Sequence, residues 1–253
     1  VGAVLENSLS TGDNWEGVLF REFTVAVCHA MSLTNKKTPL VSDYHLHNQT
    51  IENVKSAKYL GVEISSDMKW SKHIAQITSK ANKTSAFITR NLKGCPKKTQ
   101  LQCYKSLVRP TLEYASITWD PHHKKDIDAL EATQKRAARR IANNYSTYSS
   151  ASKITSNLGL DTLQTRRKRD KLTTIHKIHN NNIDARFPDT FRATTRITRG
   201  HNNRMTFPAS KTDRHKHSFF PSATTLWNNL PSDAAETNSL DLFKRILSHS
   251  VRD

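Results

Sequence analysis

The sequence predicts a mainly α-helical protein with a small N-terminal β portion, which is an α+β class. Only 7 glycines and 8 prolines occur in 253 residues, too few for a turn-dense all-β barrel. The hydrophobic pattern also changes along the chain, because apolar residues alternate up to about Asp67 and afterwards recur at helical spacing. We therefore expect short strands first and helices over the rest of the chain.

The N-terminal part is predicted to consist of strands and turns. Residues 1–23 match no motif, and we expect them to be poorly ordered. The β segment covers residues 24–67 and begins with an apolar, β-prone run. Two alternating stretches, 40–46 and 50–54, have the pattern of a hairpin, and a further single strand is predicted over 58–64.

Helices are predicted over most of the remaining chain, and glycine and proline mark several of their ends. Pro96 is suited to open the second helix, and Pro110 is expected to end or kink it. The polar stretch 181–217 is predicted to be a long loop or a loose segment. The predicted helices cover 70–92, 96–110, 127–141, 162–180, 219–230 and 239–247. The residues expected to be buried are Leu60, Val62, Trp70, Ile74, Ile77, Leu107, Ile127, Leu130 and Ile141.

The chain carries a large positive charge. Lys and Arg number 39 against 22 Asp and Glu, which gives a formal net charge of +17 and a pI near 9.9. This excess indicates a polyanionic partner, and nucleic acid is the favoured one. An anionic membrane surface is the alternative, but the basic residues are dispersed along the chain instead of lying on basic amphipathic helices.

Targeting signals and membrane segments are not recognisable in the sequence. No run of about 18 apolar residues occurs, and the N-terminus lacks the basic-then-apolar pattern of a signal peptide. The three cysteines, Cys28, Cys95 and Cys103, are too few for a disulfide scaffold and indicate a reducing compartment. We expect an intracellular protein, nuclear or cytoplasmic or both, that is not secreted and has no membrane partner.

Residue patterns for catalysis or metal binding are sparse. Cys95, Cys103, His122 and His123 could converge, but no Cys-x-x-Cys pair is present to start a zinc site. The sequence has no Gly-x-Ser-x-Gly nucleophile elbow, no phosphate-binding Gly-x-x-x-x-Gly-Lys loop and no Asp-Asp dipeptide. We therefore expect no catalytic residue, no bound metal and no cofactor for this chain alone.

Two basic clusters are the candidate binding sites. In the third predicted helix the basic residues lie opposite an apolar face, and in the fourth a basic run is offset only by Asp170. Solvated helix faces are the alternative for both clusters, and a nuclear import signal is another for the second. Tyr145, Tyr148 and Trp119 are close in sequence and favour contact with nucleic acid. The candidate phosphate-binding residues are Lys135, Arg136, Arg139, Arg140, Arg166, Arg167, Lys168 and Arg169.

Several strings stand out by their order and spacing. Four lie between residues 58 and 139: KYLGVEISSDMKWSKHI (58–74), KANKTSAFITRNLKG (80–94), YKSLVRPTLEYASITWDP (104–121) and LEATQKRAAR (130–139). Three follow: RGH (199–201), SFFPSATTLWNNLP (218–231) and SLDLFKRIL (239–247). Together they resemble the C-terminal half of reverse transcriptases from non-LTR retrotransposons, of the jockey and CR1-like kind. The likeness covers about residues 28–247, and the combination is more specific than any one string.

The resemblance implies an architecture and partners. Residues 24–67 would be the end of a polymerase palm, 68–145 a helical thumb that grips the template–primer duplex, and 146–253 a basic C-terminal extension. RNA and RNA–DNA duplex would be the partners. Enzymes of this family are RNA-directed DNA polymerases that hold Mg²⁺ with palm carboxylates, including an aromatic-x-Asp-Asp box. That box would precede Thr24, and this chain does not contain it.

The sequence therefore predicts a fragment of a reverse transcriptase that keeps its affinity for nucleic acid but is inactive alone. Residues 1–23 do not fit the family, and Thr24 and Val27 stand where it favours Asn and Lys. The alternative from another class is a non-enzymatic, basic helical adaptor that binds acidic protein partners. A polymerase assembled in trans, with a second chain that carries the missing palm, is a third possibility.

Overall fold

A computed structural model describes most of the chain, and over the described residues the protein is mainly helical with a few short strands. The α+β class is confirmed at that level. Contacts divide the chain into two compact units, 1–69 and 70–253. The segment 1–23 lies outside the described residues, which are 28–33, 42–46, 48–146, 148–185, 187–188, 191–193, 201–207 and 209–250.

The described part of the N-terminal unit contains six short strands. They are β1 (His29–Ala30), β2 (His45–Leu46), β3 (Gln49–Thr50), β4 (Glu52–Asn53), β5 (Ser56–Tyr59) and β6 (Val62–Ser65). β2 and β3 pair antiparallel as the predicted hairpin, with His45 opposite Thr50. β4 instead pairs in parallel with β1, with His29 opposite Glu52.

The segment predicted as one strand over 58–64 is a hairpin, so that prediction is wrong. β5 and β6 pair antiparallel, and Leu60 and Gly61 form the two-residue turn between them. Both have positive φ, +45° and +86°, as a type I′ turn requires. Because Leu60 is at the turn, its side chain is 73% exposed and not buried as predicted.

The second unit is helical, and all six predicted helices are present in it. The long helices are α1 (Ser71–Asn91), α5 (Lys124–Ala142) and α7 (Leu163–His179). The shorter elements, in chain order, are α2 (Lys97–Cys103), a π-helix (Tyr104–Val108), α3 (Arg109–Glu113), α4 (Ser116–Trp119), α6 (Ala151–Asn157), α8 (Asp213–Lys216), α9 (Phe219–Asn228), α10 (Ser232–Ala235) and α11 (Leu240–Ser250). The sequence does not predict α4, α6, α8 and α10, which are short.

Helices α1 and α5 lie side by side and run in the same direction. Ser71 donates to Asp126 at 2.8 Å near their N-termini, and farther along both helices Arg140 donates to Ser85 at 3.4 Å. Both helices turn an apolar face inward, as their spacing predicts. Their buried apolar side chains are Ile74, Ala81 and Ile88 of α1 and Leu130, Ala137, Ala138 and Ile141 of α5.

The π-helix interrupts the second predicted helix. It follows α2 directly, and α3 then continues through Pro110 in its first turn, where the missing N–H removes no helical hydrogen bond. The wider π turn changes the direction of the side chains, so Tyr104 and Val108 are buried while Leu107 is exposed. The prediction that Leu107 is buried is wrong for this reason.

Trp227 of α9 is at the centre of the C-terminal core. It is fully buried in one apolar cluster with Leu172 and Ile175 of α7 and Phe243 and Leu247 of α11. Its indole N–H donates to the carbonyl of Asn203 at 2.7 Å, so the buried polar atom is satisfied. The cluster therefore joins α7, α9 and α11 in one packed body.

Part of the stretch 181–217, predicted to be loose, is packed on this core. His201 and Met205 are buried, and a ring nitrogen of His201 lies 2.9 Å from the carbonyl of Trp227. The Asn228 amide bonds both the N–H and the carbonyl of Met205, at 3.0 and 2.8 Å. Strand β7 (Arg192–Ala193) pairs antiparallel with β8 (Met205–Thr206). The prediction fails here because side-chain amides supply hydrogen bonds that polar composition does not reveal.

Three histidines lie in contact between the turn before α5 and the end of α8. The ring centroid of His122 is 4.0 Å from that of His123 and 4.2 Å from that of His217, whose ring is nearly parallel. Partial burial, and then the two neighbouring imidazoles, lower the pKa of His122 below 6.5, with Asp213 and Asp126 opposing the shift.

We expect stability to fall as the pH decreases through about 6.5. The unfolded chain protonates His122 at its ordinary pKa, whereas the folded chain does so only at lower pH, so protons favour unfolding in this range. Melting temperatures at about pH 7.5 and about pH 5.5 would measure the effect. The decrease should be smaller in His122→Asn, and an equal decrease in the variant would contradict this role.

Candidate nucleic-acid interface

The basic run of α7 does not form one patch open to solvent. Arg166 pairs with Glu113 through Nε and donates from Nη2 at 3.0 Å; the hydrogen bond to Glu113 raises the pKa of Arg166, with burial opposing it. Arg169 pairs with Asp161 and also donates to the carbonyl of Ser248 at 3.4 Å. Lys168 is half-buried. Carboxylates of the same chain therefore already bind two of the predicted phosphate-binding side chains.

Arg167 departs furthest from the prediction. Its side chain is only 1% exposed, and Nε donates to an oxygen of Asp120 at 2.6 Å. Nζ of Lys171 lies 2.7 Å from the other oxygen of Asp120 and also donates to Ser222 at 2.9 Å. Asp120 is thus shared by two buried cations, and Arg167 is not accessible to a phosphate in solution. We correct its assignment to a structural role that ties α7 to the residue after α4.

The reason for this difference is the surroundings of α7. The helix contacts α4, α5, α9 and α11, so more of its circumference is covered than an isolated amphipathic helix would suggest. From the sequence alone, Arg and Lys residues on such a helix could belong either to buried ion pairs or to a solvated face. Helix α7 thus packs both on helices that precede residue 145, α4 and α5, and on helices that follow it, α9 and α11. The sequence suggests a domain boundary at residue 145.

The four basic residues of α5 differ in exposure and in surroundings. Arg136 is exposed, and Lys135 is half-buried beside Glu131. Arg140 donates to Ser85 of α1. Arg139 donates to two carbonyls of the following loop, those of Ser146 at 3.0 Å and Ser149 at 2.8 Å. Of the four, only Arg136 is exposed, and two of the others hold neighbouring parts of the fold.

The three aromatic residues that the sequence places near these cations also differ in exposure. Trp119 is fully buried, and its indole N–H donates to the carbonyl of Tyr114 at 2.8 Å, so it belongs to the core. Tyr145 is 65% exposed and Tyr148 is fully exposed. Only the two tyrosines are accessible to a ligand.

A further basic surface, outside the two predicted clusters, lies on α1. Lys80, Lys83, Phe87 and Arg90 follow one another at helical spacing and are all exposed, and we call them the α1 stripe. Phe87 is 59% exposed although it is a large apolar ring. Aromatic and cationic side chains on one helix face are a combination typical of nucleic-acid contact.

The sequence around the α1 stripe contains no acidic residues. From Trp70 to Leu112 the chain contains nine Lys and Arg and no Asp or Glu. Beyond the α1 stripe, Lys93, Lys97 and Lys98 are also exposed. No carboxylate within this stretch can therefore neutralise its cations, in contrast to α7. This lack of Asp and Glu is visible in the sequence alone and could have predicted the basic surface without a structure.

Other kinds of site find no support among the described residues. In that part of the chain no three His, Cys, Asp or Glu side chains are grouped to hold a metal ion. No helix among the described residues is long and apolar enough to cross a membrane.

The chain matches no protein-family model, no curated protein and no solved structure.

Proposed function

We propose that this chain binds nucleic acid through the α1 stripe, with the exposed Arg136 of α5 as a second contact. The ligand suggested by the resemblance to non-LTR reverse transcriptases is RNA or an RNA–DNA duplex held by a thumb-like helical unit. In this proposal the chain grips nucleic acid and does not itself transfer nucleotides.

The observation that carries the proposal is the difference between α1 and α7. On α7 the cations pair with Glu113, Asp120 and Asp161, and those pairs leave little charge for a ligand. On α1 the cations are exposed in a stretch of sequence with no carboxylate. Like charges on one helix face repel one another, so a polyanion that lies along the face is favoured by relieving this repulsion and by releasing counterions.

Removing two charges from the α1 stripe should weaken binding and reduce its dependence on salt. In Lys80→Gln/Lys83→Gln we expect the slope of log affinity against log salt to shrink by about 0.9 for each lost contact on a B-form duplex. Affinity at about 0.1 M salt should fall about tenfold or more. Gln keeps helix propensity, so the fold should persist. Fluorescence anisotropy with a labelled DNA duplex and an RNA–DNA duplex would measure both quantities.

The matched control removes the same charge elsewhere. Lys244 and Arg245 of α11 are also exposed, but Asp241 lies close by on the same helix. Lys244→Gln/Arg245→Gln should therefore leave slope and affinity nearly unchanged. Equal losses in the two double variants would show that only net charge matters, and the α1 assignment would then be wrong.

The adaptor function is tested in the same assay. A basic adaptor for acidic proteins should bind polyglutamate at least as tightly as a duplex at equal salt. The nucleic-acid proposal expects the opposite order, because the duplex has the higher charge density. Tighter binding of polyglutamate would favour the adaptor.

A further inference from the structure

The turn between α5 and α6 displays two tyrosines to solvent, and we call it the two-tyrosine loop after Tyr145 and Tyr148. Tyr145 is 65% exposed and Tyr148 fully exposed. Both tyrosine side chains are exposed, whereas the other large aromatics near α5, Tyr104 and Trp119, are buried. The loop therefore presents aromatic surface that the fold itself does not use.

The backbone around the tyrosines is held by several hydrogen bonds. Helix α5 ends in a left-handed Asn143, and the N–H of Asn144 returns to the carbonyl of Arg139 at 3.0 Å. The Arg139 guanidinium then bonds the carbonyls of Ser146 and Ser149. One cation thus fixes the loop on both sides of Tyr148.

Hydroxyl and amide side chains complete this arrangement. The Asn144 side chain accepts from the N–H of Ser146 at 3.2 Å, and the Ser146 hydroxyl accepts from the N–H of Tyr148 at 3.3 Å. Ser150 caps α6 immediately afterwards. The described loop residues before and after position 147 are held by these bonds and lose little backbone entropy when they bind a ligand, which favours affinity.

The charge around the loop favours an anionic ligand. Residues 132–160 contain five Lys and Arg and no Asp or Glu. Arg136 is exposed one turn before Arg139. A ligand that satisfies both features must combine negative charge with flat aromatic faces, as a nucleic-acid strand does.

We propose that the two-tyrosine loop is a stacking site for unpaired bases of single-stranded nucleic acid. This inference rests on the proposed nucleic-acid function and specifies the ligand at a second place on the same protein. In a duplex the base faces are covered by neighbouring bases, whereas an unpaired base can place its face on a tyrosine ring. Recognition of this kind depends little on sequence, because every base has a π face.

The test compares single strands with and without bases. The probes are a fluorescein-labelled oligodeoxyadenylate and an abasic strand of equal length and equal phosphate number. The parent should bind the first more tightly, and Tyr145→Ala and Tyr148→Ala should each lose at least about fivefold in affinity for it. Neither substitution should change affinity for the abasic strand, because the phosphate contacts remain.

Two further variants serve as controls for the loss of the aromatic rings. Tyr145→Phe/Tyr148→Phe keeps the rings and should bind like the parent. Tyr59→Ala removes a tyrosine of similar exposure, 66%, from the β5–β6 hairpin and should have no effect.

Three results would overturn the inference. If the Ala variants lose affinity equally for both strands, or lose none, the loop is not a stacking site, although the nucleic-acid function stands. If the parent binds neither strand nor a duplex, both proposals fail.

Discussion

Replacing Asp120 by Asn should destabilise the folded protein by about 3 kcal/mol or more. The substitution keeps the size of the side chain but removes the carboxylate that Arg167 and Lys171 share. Both cations are almost completely buried, and breaking a buried ion pair by removing one partner typically costs about 3–5 kcal/mol because a charge stays in a poorly solvated place. Urea unfolding followed by circular dichroism would give the change in free energy.

A surface carboxylate provides the comparison. Asp128 is exposed on α5, and Asp128→Asn should change stability by no more than about 0.5 kcal/mol. If Asp120→Asn unfolds at the same urea concentration as the parent, Arg167 has an alternative partner and the buried network is not a major source of stability.

Replacing Trp227 by Ala should cost about 3–5 kcal/mol, since it removes the largest ring from the C-terminal core and leaves a cavity. It also removes the indole donor to Asn203, so the segment 201–207 should become less protected as well. Global stability can be measured in urea, and hydrogen exchange at the amide of Met205 reports on the segment.

Leu242 of α11 is the control for this core. It lies on the same helix as Phe243 but is exposed, so Leu242→Ala should have little effect. Retention of parent-like exchange at Met205 in Trp227→Ala would mean that the indole bond to Asn203 is not needed to hold the segment.

The elements that sequence predicts well are those with a long one-sided pattern. α1 and α5 each keep apolar residues at helical spacing over many turns, and each buries most of that face, although Ile77 and Ile127 are only half-buried. Leu60 and Leu107 are different, because their exposure depends on a two-residue turn and on a π-helix. Both are local changes of backbone geometry that hydrophobic periodicity does not register.

The candidate site shows the same limit for charge. Composition predicts a basic protein, but it does not say which cations meet carboxylates from distant parts of the chain. Arg167 and Asp120 are 47 residues apart in sequence and 2.6 Å apart in the fold. The α1 stripe is the reverse case, because the lack of any Asp or Glu from Trp70 to Leu112 excludes local pairing before the structure is known.

The parallel arrangement of α1 and α5 has an electrostatic consequence of its own. Two helices that run side by side in the same direction have the negative ends of their macrodipoles on the same side, where they repel each other. Arg90 in the last turn of α1, and Arg139 and Arg140 in the last turn of α5, offset this by about 0.3–1 kcal/mol each. A phosphate that draws these arginines outward must compete with the helix ends for them. These three cations should therefore contribute less to binding than Lys80 and Lys83, which lie in the middle of α1.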